Sequence, residues 1–296
     1  MIKNVVGMYF SPSGATAKIT KKITIELTDN MRDSCLDELS YSFYDMLALS
    51  SRYGHNSSID CTDETIVVMG LPVMSGRIPE ICKEMLSKVN GNGAYLVALV
   101  SYGNNSYGDA LYELYTYANE RGFKVISAAA FIAQHSMFPR IAASRPDTND
   151  IKKMIEFSKI SAKKLKRFIC TDIASMRGRL APLTIPGSIP KRKPIKLPIH
   201  PTANSLCIDC GKCEEVCPVG AISTDDLRKS DSKTCISCTS CIKACPQDSM
   251  ARSPRRRRLR ERSCTLREKT RSGLYRKSIF RELCSRFLIF LVEISS

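Results

Sequence analysis

The sequence predicts an α/β protein: a doubly wound parallel sheet followed by a second, smaller domain built around cysteines. Three observations lead there. Residues 5–10, 65–70, 94–101 and 123–132 are short apolar runs with the length and residue types of buried strands. The segments between them have helical spacing, and strands alternating with helices make a parallel sheet covered on both faces. Further on, one cysteine pattern is written twice: Cys207, Cys210, Cys213 and Cys217 before Pro218, then Cys235, Cys238, Cys241 and Cys245 before Pro246.

The first strand runs into Ser11-Pro12-Ser13-Gly14-Ala15-Thr16, and residues 17–27 then take helical spacing. Hydroxyls and free N–H groups at a helix start can hold an anion without any charged side chain. The same composition also serves as an ordinary cap. An edge strand is expected at residues 39–44. The run 65–70 leads through Leu71-Pro72-Val73-Met74-Ser75-Gly76-Arg77 to a helix opening at Ile78-Pro79-Glu80. The run 94–101 leads through Tyr102-Gly103-Asn104-Asn105-Ser106-Tyr107-Gly108 to a helix over 109–121. All three loops fall beyond the carboxyl ends of strands, the edge at which such sheets bind ligands.

Residues 171–206 change composition. Pro182, Pro186, Pro190, Pro194, Pro198 and Pro201 recur about every fourth residue, which predicts an extended, stiff linker, either a spacer that docks the second domain or a plain linker lying on the surface. In the cysteine repeat that follows, each cysteine returns 28 residues later. The run resembles that of bacterial two-cluster ferredoxins, which implies two 4Fe-4S clusters. Three close thiolates grip one cube and the fourth reaches across to the other. The resemblance thus groups Cys207, Cys210, Cys213 and Cys245 around one cluster, and Cys235, Cys238, Cys241 and Cys217 around the other. Zinc is the competing reading, but zinc ribbons pair cysteines in twos across a long spacer.

Residues 1 to about 170 resemble a flavodoxin-like domain, since Ser11, Ser13, Gly14 and Thr16 match that family's S/T-x-S/T-G-x-S/T loop. The resemblance implies a sheet order 2-1-3-4-5 and an FMN cofactor. Ser11, Ser13, Gly14, Ala15 and Thr16 would hold its phosphate. Pro72, Val73, Ser75 and Gly76 would line one side of the ring, and Tyr102, Gly103, Asn104 and Tyr107 the other. Ala15 stands where the family often has Asn or Thr, and the chain has no tryptophan, so Tyr102 or Tyr107 either supplies the aromatic face or packs under its loop. Over residues 1–250 the chain resembles the bacterial iron-sulfur flavoproteins, in which a flavodoxin-like domain is fused to a two-cluster ferredoxin of α+β type. The expected organisation is a flavin domain over 1–170, a linker over 171–206, a cluster domain over 207–250 and a tail over 251–296.

Composition fits a redox protein. Of 296 residues 43% are apolar, enough for one moderate domain and one small one. Of 14 cysteines, eight belong to the repeat; Cys35, Cys61, Cys82, Cys170, Cys264 and Cys284 read as buried or incidental thiols. The start lacks the pattern of a signal peptide, and no apolar stretch reaches the roughly 20 residues of a membrane span, so a cytoplasmic protein is expected.

Residues 251–296 hold 14 Lys+Arg against 4 Asp+Glu, so +10 of the formal +16 lies in the tail. Arg255-Arg256-Arg257-Arg258-Leu259-Arg260 leads that block, which reads as a solvated, poorly folded tail before it reads as a nucleic-acid site. Residues 287–292 are too short to span a bilayer and are expected to form at most a small helix. The abrupt change from lysine to arginine is also what a shifted reading frame produces, which comparison with the coding DNA tests.

His55, His135 and His200 lie far apart with no nucleophile motif beside them; His135 is the one placed to reach the flavin loops. Lys191, Arg192 and Lys193 read as solvent-facing charges or as steering for an acidic partner. The expected function is electron transfer between FMN and two 4Fe-4S clusters, joining one-electron to two-electron chemistry for a redox protein or small acceptor. The alternatives are a flavin-dependent reductase of a small organic substrate and, more remotely, a zinc- and nucleic-acid-binding protein.

Overall fold

A computed structural model describes residues 2–32, 38–49, 58–169, 182–189, 200–252 and 289–291. Cys35, Cys170, Cys264, Cys284, His55, Pro190, Pro194, Pro198, residues 191–193 and the arginine run lie outside these. Two compact units emerge, one of Met1–His135, Arg140–Pro194 and Leu288–Ser296, the other of Ser136–Pro139 and Ile195–Phe287.

The sheet of the first unit is built on β1 (Asn4–Tyr9), which pairs in parallel with β2 (Ser40–Asp45) on one side and β3 (Thr65–Pro72) on the other. Beyond β3 lie β4 (Tyr95–Tyr102) and β5 (Lys124–Ile132), again parallel. The order is therefore 2-1-3-4-5, the flavodoxin-like one. β3 and β4 are buried along almost their whole length, because helices cover both faces of a parallel sheet. β2 is largely exposed, as an edge strand should be. The expected helix at 287–292 is replaced by a strand: Ile289–Leu291 pairs antiparallel with β5 and closes the far edge. A sheet edge offers unpaired N–H and C=O groups, which recruit a short apolar segment as readily as packing recruits a helix.

Among the described residues of the unit are four α-helices, α1 (Ala15–Met31), α2 (Glu80–Ser87), α3 (Ala110–Glu120) and α4 (Thr148–Ile169), and a short 3-10 helix at Met46–Leu49. The buried stripe of α1 is half threonine, with Thr16, Thr20, Thr24 and Thr28 alternating with Ile19, Ile23 and Leu27. Thr24 and Thr28 donate their hydroxyls to the carbonyls of Thr20 and Thr24 at 2.8 Å, so their burial leaves no donor wasted. Opposite this stripe the sheet carries glycine. A Cβ on Gly7 would come within 2.6 Å of Thr24 Oγ1, and one on Gly70 would overlap Thr20 Oγ1. The glycines thus set how closely α1 approaches β1 and β3, and so fix the helix start beside the ends of those strands.

The segment 182–189 carries neither helix nor strand. Leu183 and Ile185 are buried while Thr184 and Pro186 are exposed, and Ser188 N–H donates to Asp109 Oδ1 at 3.1 Å.

The second unit holds β6 (Pro201–Ala203), β7 (Ile222–Ser223), β8 (Asp226–Ser230) and β9 (Met250–Arg252) in one antiparallel sheet of order 9-6-8-7. Two short helices, α5 (Lys212–Glu215) and α6 (Ser240–Ala244), complete its α+β make-up. Its buried centre is Cys213, Ile222, Cys241 and Met250. These are two pairs separated by the 28-residue repeat, so duplication of the sequence appears as a duplicated core. Among the described residues no helix is long and apolar enough to cross a membrane.

Candidate functional site

The eight repeat cysteines divide between two cavities. One is lined by Cys207, Cys210, Cys213 and Cys245, the other by Cys217, Cys235, Cys238 and Cys241. Each cavity takes three thiols from one repeat and one from the other, the crosswise grouping that the ferredoxin resemblance implies. All eight are free thiols. Four soft sulfur donors facing one space are the donor set of an iron-sulfur cube. No three His, Cys, Asp or Glu side chains among the described residues form a group that could hold a single metal ion.

Local backbone makes these cages. Asp209 and Gly211 have positive φ (49° and 77°), and 28 residues later so do Ser237 and Thr239 (58° and 69°); Gly220 and Asp248 form a third such pair (61° and 48°). Left-handed residues interspersed in a turn direct successive N–H groups to one side, which forms an anion-attracting concavity. Ala221 N–H donates to Cys217 Sγ at 3.1 Å and Ser237 N–H to Cys235 Sγ at 3.4 Å, while Cys245 Sγ lies 3.2 Å from Ser249 Oγ. Burial pushes the Cys238 and Cys241 thiols up to about 12. Burial also raises Cys213 and Cys235. At Cys245 burial is outweighed by hydrogen bonds from Ser249 Oγ and the nearby backbone N–H groups, which hold that thiol below its ordinary value.

The flavin-loop residues come from three neighbouring strands at one sheet edge. Gly14 caps α1 with φ 84°, a conformation costly for any side-chain-bearing residue. Ser11 Oγ accepts from Ala17 N–H at 2.9 Å and Gly14 N–H donates to the Ser11 carbonyl at 3.1 Å. Helix starts leave their first N–H groups without intrahelical acceptors, and Ala15 and Thr16 N–H stand at such a start. The Thr16 hydroxyl is buried and lies 2.7 Å from Ser101 Oγ at the end of β4. Thr16 thereby ties the first loop to the strand that carries the third.

The second and third loops lean on each other. Met74 and Arg77 exchange backbone hydrogen bonds across a turn with positive φ at Ser75 (54°) and Gly76 (79°), a type I′ arrangement. Val73 N–H donates to the Ser101 carbonyl at 2.8 Å, and Asp109 N–H to the Gly76 carbonyl at 2.9 Å. A Cβ on Gly108 would overlap the Gly76 carbonyl oxygen. Tyr102 and Tyr107 meet edge to face, ring centres 5.8 Å apart, and Asn104 is exposed with φ 58°. His135 also belongs to this edge: a Cβ on Gly103 would lie 2.7 Å from its ring.

Several supporting residues lay outside the sequence reading. Glu113 on α3 is fully buried; it accepts from Arg77 Nε at 3.0 Å and from Ile78 N–H at 3.0 Å, with Lys83 Nζ at 3.9 Å. Arg145 pairs with buried Asp150 at the start of α4. A glutamate on a helix is ordinarily exposed, so nothing in the local pattern marks Glu113 as the anchor of a loop 36 residues away. Cys61 and Cys82 are buried; burial, with Asp60 adding to it, lifts Cys61 to about 11, and burial raises Cys82 well above the ordinary thiol value.

Residues 206–249 match the family model described as a 4Fe-4S dicluster domain. No curated protein matches the sequence. Similar solved structures include a flavodoxin from the domain Archaea, at 14% identity over 56% of this chain and 99% of that one, with a TM-score of 0.37. Flavodoxin 2 from Bacillus cereus is 18% identical over 55% of this chain and 99% of that one, with a TM-score of 0.35. Rubredoxin oxygen:oxidoreductase from Desulfovibrio gigas is 16% identical over 58% of this chain and 37% of that one, with a TM-score of 0.37. The chain thus joins a sheet of flavodoxin-like order to a 4Fe-4S dicluster domain, the equipment of an electron-transfer protein.

Proposed function

We propose that this chain is an iron-sulfur flavoprotein that moves electrons between FMN and two 4Fe-4S clusters, for a redox protein or small acceptor. The observation that carries this reading is the division of eight thiols into two sets of four, each around its own cavity. When bound, the flavin supplies two-electron chemistry and the clusters supply one-electron steps.

The chain's own part is to bind, orient and insulate. Cys207, Cys210, Cys213 and Cys245 would hold one cluster, and Cys217, Cys235, Cys238 and Cys241 the other. Ser11, Ser13, Gly14, Ala15 and Thr16 would cradle the FMN phosphate with hydroxyls and N–H groups at the start of α1. Pro72, Val73, Ser75 and Gly76 would face one side of the ring, and Tyr102, Gly103, Asn104 and Tyr107 the other. Cys213 and Met250 from the lining of one cavity and Ile222 and Cys241 from the lining of the other form one buried cluster.

A zinc reading needs thiols that converge on one ion, whereas the thiols here surround spaces, which favours cubes. Anaerobic purification, a visible spectrum and elemental analysis test the proposal. It expects about eight iron and eight sulfide per chain, with one flavin. A colourless sample loaded with zinc would end it.

A further inference from the structure

We propose that the two cages are electrically unequal and that the one formed by Cys207, Cys210, Cys213 and Cys245 receives the first electron. This rests on the cluster-binding reading above and deepens it. The 28-residue repeat supplies an internal comparison, because most residues around one cage have a counterpart 28 positions away around the other.

Thr239 at the second cavity is more polar than its counterpart Gly211, but the other differences point the opposite way. Lys212 lines the first cavity, and Ser240 stands in its place at the second. Gln247 and Ser249 line the first, where the second has Val219 and Ala221. Cys210 is exposed and its counterpart Cys238 is buried. Ile208 is 60% exposed at the rim of the first cavity, whereas Ile236 is half-buried at the second. Asp209 also lines the first cavity, but its carboxylate is taken up by Arg228, with Nη2 to Oδ2 at 2.7 Å. Lys212 has no ion-pair partner among the described residues, so the first cage has a net positive neighbour. Among the described residues, no charged residue lines the second cavity.

Reducing a thiolate-bound 4Fe-4S cube from its 2+ to its 1+ core adds one electron and one unit of negative charge. That charge is favoured by water and by a nearby cation and disfavoured by apolar walls. Ala221 N–H to Cys217 and the Ser249 contact to Cys245 are counterparts and cancel, while Ser237 N–H to Cys235 at 3.4 Å favours the second cage. Exposure and charge both favour the first cage, and a full charge beside open water outweighs one long N–H···S contact.

Stepwise anaerobic titration of the full chain with dithionite, followed by low-temperature electron paramagnetic resonance, reads this directly. Two separated one-electron cluster steps are expected, the upper one relaxed more strongly by a soluble paramagnetic chelate because its cluster lies nearer water. Lys212→Ser, which copies the second cage into the first at an exposed position, should lower the upper step and leave the lower one in place at unchanged iron content. Gln247→Val, copying Val219, should shift the same step the same way if the lysine variant loses its clusters. Coincident steps, or variants that move only the lower step or neither, would overturn the inference while leaving the cluster reading intact. A chain without cluster signals would instead remove the reading on which it rests.

Discussion

Cys238 and Cys241 are buried thiols lifted to about 12, whereas the proposed cluster binding would need them as thiolates. Burial disfavours the charged form, so the chain resists ionising these sulfurs until a metal displaces the proton. The effect on stability has a definite sign. An unfolded thiol ionises near 9.0, so between that value and about 12 the unfolded chain has shed protons that the folded chain keeps. Rising pH therefore pulls the cluster-free chain toward the unfolded state, with Cys213 and Cys235 adding to the trend and Cys245 opposing it. The urea midpoint of the cluster-free protein should fall between pH 8 and pH 10, and a midpoint that rose would contradict the burial of these groups. In the other unit Gly108 plays the corresponding single-residue role. Its φ of 52° and its contact with the Gly76 backbone leave no room for a methyl group. Gly108→Ala should separate the two ring-flanking loops and weaken FMN binding by about tenfold or more, about 1–3 kcal/mol for forced overpacking, as followed by flavin fluorescence. Unchanged affinity would mean that the loops do not jointly grip the flavin.

At the level of elements, the buried Arg77–Glu113 pair decides where the second loop sits. Glu113 accepts from the guanidinium and from Ile78 N–H, so one carboxylate fixes both the turn and the start of the helix that follows. Removing one partner of a buried pair leaves an uncompensated charge, which costs about 3–5 kcal/mol. Glu113→Ala should therefore destabilise the protein by about 3 kcal/mol in urea unfolding and loosen the flavin loops, whereas Glu113→Gln, which keeps an acceptor for Ile78, should cost less. A loss under about 1 kcal/mol would show that Lys83 and solvent replace the pair. This anchor also marks the limit of what could be read from sequence. The strands β1, β3, β4 and β5 were legible because β-branched and apolar runs bounded by glycine and proline have few other fates. The loops between them were legible because hydroxyl and glycine residues stand where backbone must turn. Partners such as Glu113, Ser101 and Asp109 were not, since a buried polar contact depends on three-dimensional neighbours that no local periodicity encodes. The segment at 287–292 departs from the expected helix for a similar reason: a short apolar run suits a strand or a helix equally, and an available sheet edge chooses.

Across the whole molecule the charge is distributed apart from the chemistry. Residues 1–250 hold 31 Lys+Arg against 25 Asp+Glu, a net +6, while the last 46 residues hold +10. Both cavities and all three flavin loops lie within residues 1–250. Any affinity for polyanions should therefore reside in the tail, and the cofactor content should not. Truncation after Arg252 makes the separation measurable. It also deletes the strand Ile289–Leu291 that pairs with β5, so a small loss of stability is expected from the three-residue pairing, on the order of 1 kcal/mol. Retention on heparin should fall sharply and become less dependent on salt, because most of the excess cations have gone. Iron, sulfide and flavin content should equal that of the full chain. Loss of flavin on truncation would show that the added edge strand shapes the first unit's binding loops, and loss of iron would show that the tail reaches the cluster cages; either outcome would overturn the separation of charge from cofactor binding.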